Sequence, residues 1–276
     1  MHQNKKTVFL VLIATVLALN VFIGGLLAYA MSAAKERKEQ EVRTTVENMA
    51  LLLDQSVSAS VREIELLLRE VQTHLERDLR QGLALGRGEM NALIAQHQAW
   101  LSHRAEIRVT DADGAVVLGH AVTPTTQVSY ADRDFFIRHR AQDDQRTWAS
   151  KLVFGRIAGA WIVVFSRRYN APDGSFAGVV TAAVPAAYFQ ELLSGLKLGP
   201  HGIALIRDQD MVMIARWPAL DSPAGAIATR GGSKELSDIV ASGVLAQSFY
   251  SSRTADGVTR INAYRRLERM PPFVVL

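Results

Sequence analysis

Basic and aromatic side chains are concentrated in one stretch of this sequence, between residues 130 and 180. A guanidinium group presents planar paired donors that match a carboxylate, and aromatic walls exclude water and so strengthen such hydrogen bonds. The stretch therefore predicts a pocket for a small anionic or zwitterionic ligand, such as an organic acid or an amino acid. The candidate ligand-binding residues are Arg133, His139, Trp148, Arg156, Arg167 and Tyr169.

Structural roles compete with binding at several of these positions. Arg167 and Arg168 follow an apolar run, and strand alternation points neighbouring residues to opposite faces, so at most one of them lines a given pocket. His139 is also explained as a buried hydrogen-bonding residue. Asp132 and Arg133 are also explained by a helix cap and an ion pair. The sequence leaves both interpretations open.

The composition argues against other kinds of site. The 276 residues include no cysteine, and no two of the seven histidines stand four residues apart. The 31 Lys and Arg against 27 Asp and Glu give a net charge of +4, too mild to indicate a nucleic-acid-binding protein. Ser166 lacks the Gly-x-Ser-x-Gly elbow of serine hydrolases. We therefore expect no catalytic residue, no metal, no cofactor and no nucleic-acid partner, and we do not expect an enzyme.

The N-terminal region predicts a membrane anchor. Residues 7–34 contain no charged side chain, and about 20 apolar helical residues suffice to cross a bilayer. We expect residues 1–6 to be a cytoplasmic tail, 7–34 a transmembrane helix in the plasma (inner) membrane, and everything from residue 35 to lie outside the cytoplasm. A secretory signal cleaved near Ala30 is the alternative, and it would also export the rest of the chain.

Residues 35–80 predict one long helix that serves as stalk and domain spine. Apolar residues recur every three, four or seven positions, among them Leu53 and Val57, and no glycine or proline interrupts the run. The stripe packs along its own domain in one interpretation. In the other it also pairs with a second copy, which predicts a homodimer through this helix.

The remaining chain alternates between strands and tight turns. Two strand–turn–strand units recur, one around Asp111 to Gly114 and one around Asp208 to Asp210, each followed by short helices and further strands. The predicted fold class is α+β, with a membrane-distal lobe at 81–190 and a membrane-proximal lobe at 191–276, each built on an antiparallel sheet.

Several motifs resemble those of a known family. Residues 131–140 (ADRDFFIRHR) resemble a helix of double Cache sensor domains, and 155–161, 166–169 and 173–180 resemble the run found in Cache sensors attached to membrane-bound diguanylate cyclases. The close likeness covers 130–193, and a weaker likeness of architecture covers 35–276. The second lobe departs from the family where Asp210 replaces the usual glycine of an Asp-x-Gly turn. The resemblance implies two tandem PAS-like lobes that bind a ligand outside the cytoplasm.

Three functions remain open at this stage. The resemblance implies the sensory half of a transmembrane receptor with a diguanylate cyclase output, and a histidine kinase of a two-component system or a chemoreceptor is the nearest rival. The sequence stops at PPFVVL within an apolar strand, so we expect a chain truncated before a second membrane span and an output domain. A stand-alone membrane-anchored binding protein is the alternative from another class.

Overall fold

The structure is a computed structural model. It describes residues 2–83, 87–101, 105–119, 122–123, 125–220, 226–251, 258–269 and 273–276. The chain divides into two compact units, residues 1–46 and residues 47–276.

A single helix, α1 (His2–Arg80), contributes to both units. The helix ends because Gly82 adopts φ +72°, a left-handed conformation that glycine takes without strain. The Gly82 amide donates a hydrogen bond to the Leu79 carbonyl at 3.0 Å and so closes the last turn. By length and composition alone, the described N-terminal part of α1 could cross a membrane, and its most apolar stretch is exposed.

Within residues 47–276, α1 buries the apolar stripe that the sequence predicts. The buried positions recur at steps of three and four, as one face of a helix requires. They are Leu53, Val57, Val61, Ile64, Leu68, Val71 and Leu75. Leu53 and Val57 are therefore covered by their own chain and are not available as a seam for a second copy.

The first antiparallel sheet has the strand order β2-β1-β6-β5-β3, and β4 also pairs with β5. Its strands are β1 (Glu106–Thr110), β2 (Val116–Gly119), β3 (Trp148–Ala149), β4 (Val153–Phe154), β5 (Trp161–Asn170) and β6 (Phe176–Pro185). The sheet has one face towards α1. On the other face α3 (Asp134–Ala141) packs over a second core that includes Phe135, Phe136 and Val164. α2 (Arg87–Leu101) contacts β1 and β2.

The second antiparallel sheet has the order β8-β7-β11-β10-β9. Its strands are β7 (Ala204–Arg207), β8 (Met213–Trp217), β9 (Ala246–Ser251), β10 (Arg260–Arg266) and β11 (Phe273–Val275). α4 (Ala186–Ser194) links the two sheets and contacts both, and α5 (Lys234–Ser242) packs Leu236 and Ile239 onto the second sheet beside Tyr264.

The two sheets share one topology and one type of turn. In each, the first hairpin forms an edge and the last strand pairs with the first strand. The Asp111 carboxylate accepts the amides of Asp113 and Ala115, and the Asp208 carboxylate accepts those of Asp210 and Val212, all at 2.9–3.0 Å. The residue three after each aspartate has positive φ, +89° at Gly114 and +66° at Met211. The second sheet thus forms the same turn without the glycine.

The predicted α+β class, with a long N-terminal helix and two antiparallel sheets, is confirmed. The short strands β3 and β4 were not predicted. The sequence also predicts a hairpin turn at Asp256 and Gly257. That turn lies outside the described residues, and the strands β9 and β10 on either side of it pair with each other. The boundaries at residues 34, 80 and 190 stay predictions.

Candidate functional site

A small cavity lies against the first sheet, on the face that carries α3. We call it the first-sheet cavity; its walls include Tyr130, Arg133, Phe135, Arg156, Ile162 and Thr181, and its volume is about 20 Å³. That volume holds about one water molecule. Two of the predicted site residues, Arg133 and Arg156, therefore meet at one cavity.

Arg156 lies in the loop between β4 and β5. The loop is closed by hydrogen bonds from Gly155 to Ala160 (2.8 Å) and from Gly159 to Gly155 (2.9 Å), which hold the backbone in a tight turn. The guanidinium donates two hydrogen bonds to the Asp132 carboxylate, at 2.8 and 2.5 Å, and one to the Ser129 carbonyl. These bonds lower the pKa of Asp132 to about 2, so the carboxylate is ionised at neutral pH.

Arg133 occupies the N-cap position of α3, where its φ of −81° and ψ of 140° are extended. Its side chain does not cap the helix, and instead Nη2 donates to the Phe154 carbonyl at 3.0 Å. The hydrogen bond directs the guanidinium across the cavity wall, towards the strand that precedes the Arg156 loop. Of the cap and ion-pair interpretation only the ion pair is observed, between Asp132 and Arg156, and Arg133 remains at the cavity.

The sequence reasoning missed Arg108, a buried arginine beside this cavity. Arg108 pairs in register with Thr181, which lines the cavity, and so points to the same face of the sheet. It is 2% exposed, Nη2 donates to Glu106 at 2.6 Å, and Nε has no hydrogen-bond partner among the described residues. Burial raises the pKa of the neighbouring Tyr130, although the charge of Arg108 opposes that shift. Only the strand register could have revealed this position.

His139 and Trp148 share that face of the sheet but lie farther along it. The Nε2 atom of His139 is 3.0 Å from the Ser166 hydroxyl, and Trp148 pairs with Ser166 in register. Burial lowers the pKa of His139 to about 4, so the ring is neutral at pH 7. The Arg138 guanidinium lies 6.0 Å from the Trp148 ring. Neither His139 nor Trp148 is among the residues that line the first-sheet cavity.

Arg167 and Tyr169 point to the opposite face, towards α1. The Nε of Arg167 donates to the Gln72 side chain, and burial lowers the pKa of Arg167. The Tyr169 hydroxyl donates to the Thr110 carbonyl at 2.7 Å, and burial raises its pKa. Arg168 points the other way and donates to the His139 carbonyl, so the alternation argued from sequence holds. The structure does not bring Arg167 or Tyr169 to the cavity.

This arrangement is suited to binding. It offers cationic planar donors, an aromatic hydroxyl and apolar walls, which together match a small carboxylate-bearing molecule. Among the described residues, no group of three His, Asp or Glu side chains could hold a metal ion.

Comparison with known proteins identifies the family. The family model of the Cache domain, dCache_1, matches residues 30–275. The chain belongs to the Cache domain family. No curated protein matches it.

Solved Cache-type sensor structures share the fold. The extracellular domain of the putative histidine kinase rpHK1S-Z16 is 23% identical with a TM-score of 0.72, over 85% of this chain and 93% of that one. The ligand-binding domain of the Campylobacter jejuni chemoreceptor Tlp3, in complex with L-valine, is 10% identical with a TM-score of 0.62, over 86% and 92%. The extracellular domain of the putative histidine kinase mmHK1S-Z3 is 16% identical with a TM-score of 0.62. These likenesses show the fold of this Cache domain chain.

Proposed function

We propose that this Cache chain is the extracytoplasmic ligand-sensing region of a transmembrane receptor, and that it binds a small anionic or zwitterionic metabolite at the first-sheet cavity. The observation that carries the proposal is the Arg156–Asp132 pair at the cavity. Arg156 holds an exposed carboxylate of its own chain by two hydrogen bonds, in the geometry that a ligand carboxylate would take. Amino-acid complexes of the fold neighbour Tlp3 support the ligand class.

Binding requires the cavity to open, because its present volume of about 20 Å³ cannot hold an amino acid. A ligand carboxylate that replaced Asp132 on Arg156 would exchange one ion pair for another. The exchange costs little electrostatically, since the displaced Asp132 is exposed and returns to water. The ligand then favours the open arrangement by its additional contacts to Arg133 and the aromatic walls.

Strand β5 connects this cavity to α1. Ile162 and Val164 line the cavity on one face of β5, whereas Arg167 on the other face bonds the Gln72 side chain of α1. The Asn170 amide at the end of β5 also donates to Glu76 of α1 at 3.1 Å. A displacement of β5 on binding would therefore act directly on the helix that leads towards the membrane.

Helix α1 supports the membrane location that we propose. Its apolar N-terminal part supports a single span of the plasma (inner) membrane, with the Cache region outside the cytoplasm. A homodimer would form through the part of α1 before the buried stripe, where Val42 is among the exposed apolar residues. Self-association there would bring two helices together where a signal crosses the bilayer.

The output that we propose is a diguanylate cyclase, supported by the likeness of residues 130–193 to Cache sensors of such enzymes. A histidine kinase is the second candidate, favoured by the TM-score of 0.72 with the rpHK1S-Z16 sensor. The coding sequence after residue 276 distinguishes them. A second span followed by a GG(D/E)EF segment supports the cyclase, an H-box supports the kinase, and a stop codon supports a stand-alone binding protein.

Thermal melting of the whole chain in detergent, with a panel of amino acids and organic acids, tests the binding proposal. At least one compound should raise the midpoint, since a ligand at a hundredfold excess over its Kd stabilises by about 2.7 kcal/mol. Arg156→Gln should abolish that response. The matched control is Arg146→Gln, because Arg146 also holds an aspartate, the half-buried Asp144, but does not line the cavity. A normal response of Arg156→Gln, or none across the panel, would contradict the proposal.

A further inference from the structure

A larger cavity lies against the second sheet, and nothing in the proposed function uses it. We call it the second-sheet cavity; it has a volume of about 270 Å³, close to the lower end for small-molecule sites. Its floor is one face of the sheet, where Leu205 pairs with Arg216 on one side and with Val275 on the other. The first turn of α5 forms a wall, through Ser233 and Leu236.

Four arginines line this cavity: Arg207, Arg216, Arg230 and Arg260. Among the described residues that line it there is no aspartate or glutamate. The carboxylate of nearby Asp208 accepts hydrogen bonds from the amides of its own turn. The described lining of this cavity therefore carries four positive charges and no negative one, whereas at the first-sheet cavity the Asp132 carboxylate pairs with Arg156.

Arg207 gives the most specific indication of a ligand. It is only 6% exposed, and its Nη1 donates to the Met211 carbonyl at 2.7 Å. Its Nε has no hydrogen-bond partner within the part of the chain that the structure describes. Burial and the charge of Arg216 lower the pKa of Arg207 to about 10. A buried guanidinium with an unmet donor is costly, and a bound anion would remove that cost.

The other walls restrict the class of anion. Leu205, Leu236 and Phe249 present apolar surface to the same space. An inorganic anion would satisfy the arginines but leave this surface uncovered, while an organic carboxylate would satisfy both. We propose that the second-sheet cavity is a separate binding site for a small carboxylate with an apolar body, held by Arg207, Arg230 and Arg260.

Isothermal titration calorimetry of the whole chain in detergent tests this site with butyrate, benzoate and phenylacetate. Their amine counterparts butylamine, benzylamine and phenethylamine serve as probes of the same shape and opposite charge. We expect at least one carboxylate to bind and its amine not to bind. Failure of all three carboxylates, or equal binding of an amine, would overturn the proposal.

Two substitutions locate the binding. Arg230→Gln, at an exposed rim residue, and Arg260→Gln, on β10, should each weaken carboxylate binding by about tenfold or more, as expected for loss of a charged hydrogen bond. The matched control is Arg266→Gln, an exposed arginine on the same strand that does not line the cavity. Wild-type affinity in both cavity variants would overturn the site.

The first-sheet variant Arg156→Gln separates the two sites. Carboxylate binding that survives Arg156→Gln and falls with Arg230→Gln supports the second-sheet cavity, whether or not the proposed function holds. Binding that falls with Arg156→Gln and not with Arg230→Gln places the anion at the first-sheet cavity and overturns this inference. Circular dichroism of each variant confirms that the fold is retained.

Discussion

The two sheets share one strand topology but differ in how the arginines beside their cavities are paired. At the first sheet, Arg156 is held by Asp132, Arg133 by a backbone carbonyl, and the cavity between them has closed to about 20 Å³. At the second sheet, Arg207 is buried with one donor unmet beside about 270 Å³ of space. Each sheet buries one arginine whose Nε has no partner among the described residues, Arg108 and Arg207. The sheets differ because carboxylates of the chain pair with the arginines beside the small cavity, whereas no described residue that lines the larger cavity is a carboxylate.

The largest predicted effect concerns buried ionisable groups. His139 of the first sheet is neutral because burial lowers its pKa from 6.5 to about 4, with nearby Arg138 and Arg168 adding to the shift and Asp144 opposing it. As the pH falls, His139 takes up a proton in the unfolded chain before it does so in the folded chain. The free energy of unfolding therefore keeps its full value above pH 6.5 and falls by roughly 3 kcal/mol as the pH drops towards 4. Denaturant titrations at several pH values measure it.

His139→Gln provides the control, because glutamine does not titrate. The variant should lose much of the pH dependence between 6.5 and 4. Asp132 and Asp144 have pKa values near 2, so they change the stability below about pH 4, outside the pH range in which His139 acts. Parallel wild-type and variant profiles would mean that His139 does not cause this pH dependence, which would contradict a neutral buried imidazole at the first sheet.

The α1 side chains that bond arginines of the two sheets also differ in charge. Gln72 holds Arg167 of the first sheet, whereas the buried Asp54 carboxylate holds Arg265 of the second at 2.8 Å and also accepts the Glu268 amide. Asp54→Ala should lower the free energy of unfolding by about 2–3 kcal/mol, because hydrogen bonds to a charged group are lost and Arg265 is left half-buried. Chemical denaturation measures the change.

The exposed neighbour Gln55 supplies the comparison variant on the same helix. Gln55→Ala should change stability by less than about 0.5 kcal/mol. Equal stabilities of the Asp54→Ala and Gln55→Ala chains would show that α1 is not held to the second sheet through its carboxylate.

The equivalent turns give the smallest expected effect. A Cβ on Gly114 would lie 2.7 Å from the Ala131 amide nitrogen at φ +89°, so Gly114→Ala should destabilise by about 1–3 kcal/mol. Met211 already carries a Cβ at φ +66°, so Met211→Ala adds no new backbone strain and should lower the stability by less than Gly114→Ala does. Thermal melts compare the two, and a greater loss for Met211→Ala would contradict the equivalence of the turns.

The sequence predicts those features of the fold that repeat over many residues. The stripe of α1 and the alternation of Arg167 and Arg168 follow from regular spacing, and both are present in the structure. β3 and β4 have two residues each, too few to show a period. Arg108 was missed because its place beside the cavity depends on its register with Thr181.

The two cavities differ in how far the sequence reveals them. Arg133 and Arg156 stand within a local cluster of basic and aromatic residues, from which the sequence predicts a shared pocket, and both line the first-sheet cavity. The arginines of the second-sheet cavity are spread from residue 207 to residue 260, and only the folding of the sheet brings them together. Whether a residue of the local cluster lines the cavity also depends on which face of its strand it occupies. Arg167 and Tyr169 belong to the cluster but point to α1.

Hydrogen–deuterium exchange of the whole chain, with and without the compound that raises its melting midpoint, tests most directly whether ligand binding reaches α1. We predict altered exchange in the Arg156 loop, residues 155–160, together with altered exchange in α1 around Gln72 and Glu76, where β5 contacts the helix. A change confined to the loop, with exchange in α1 identical in both samples, would contradict the account of this chain as a sensor.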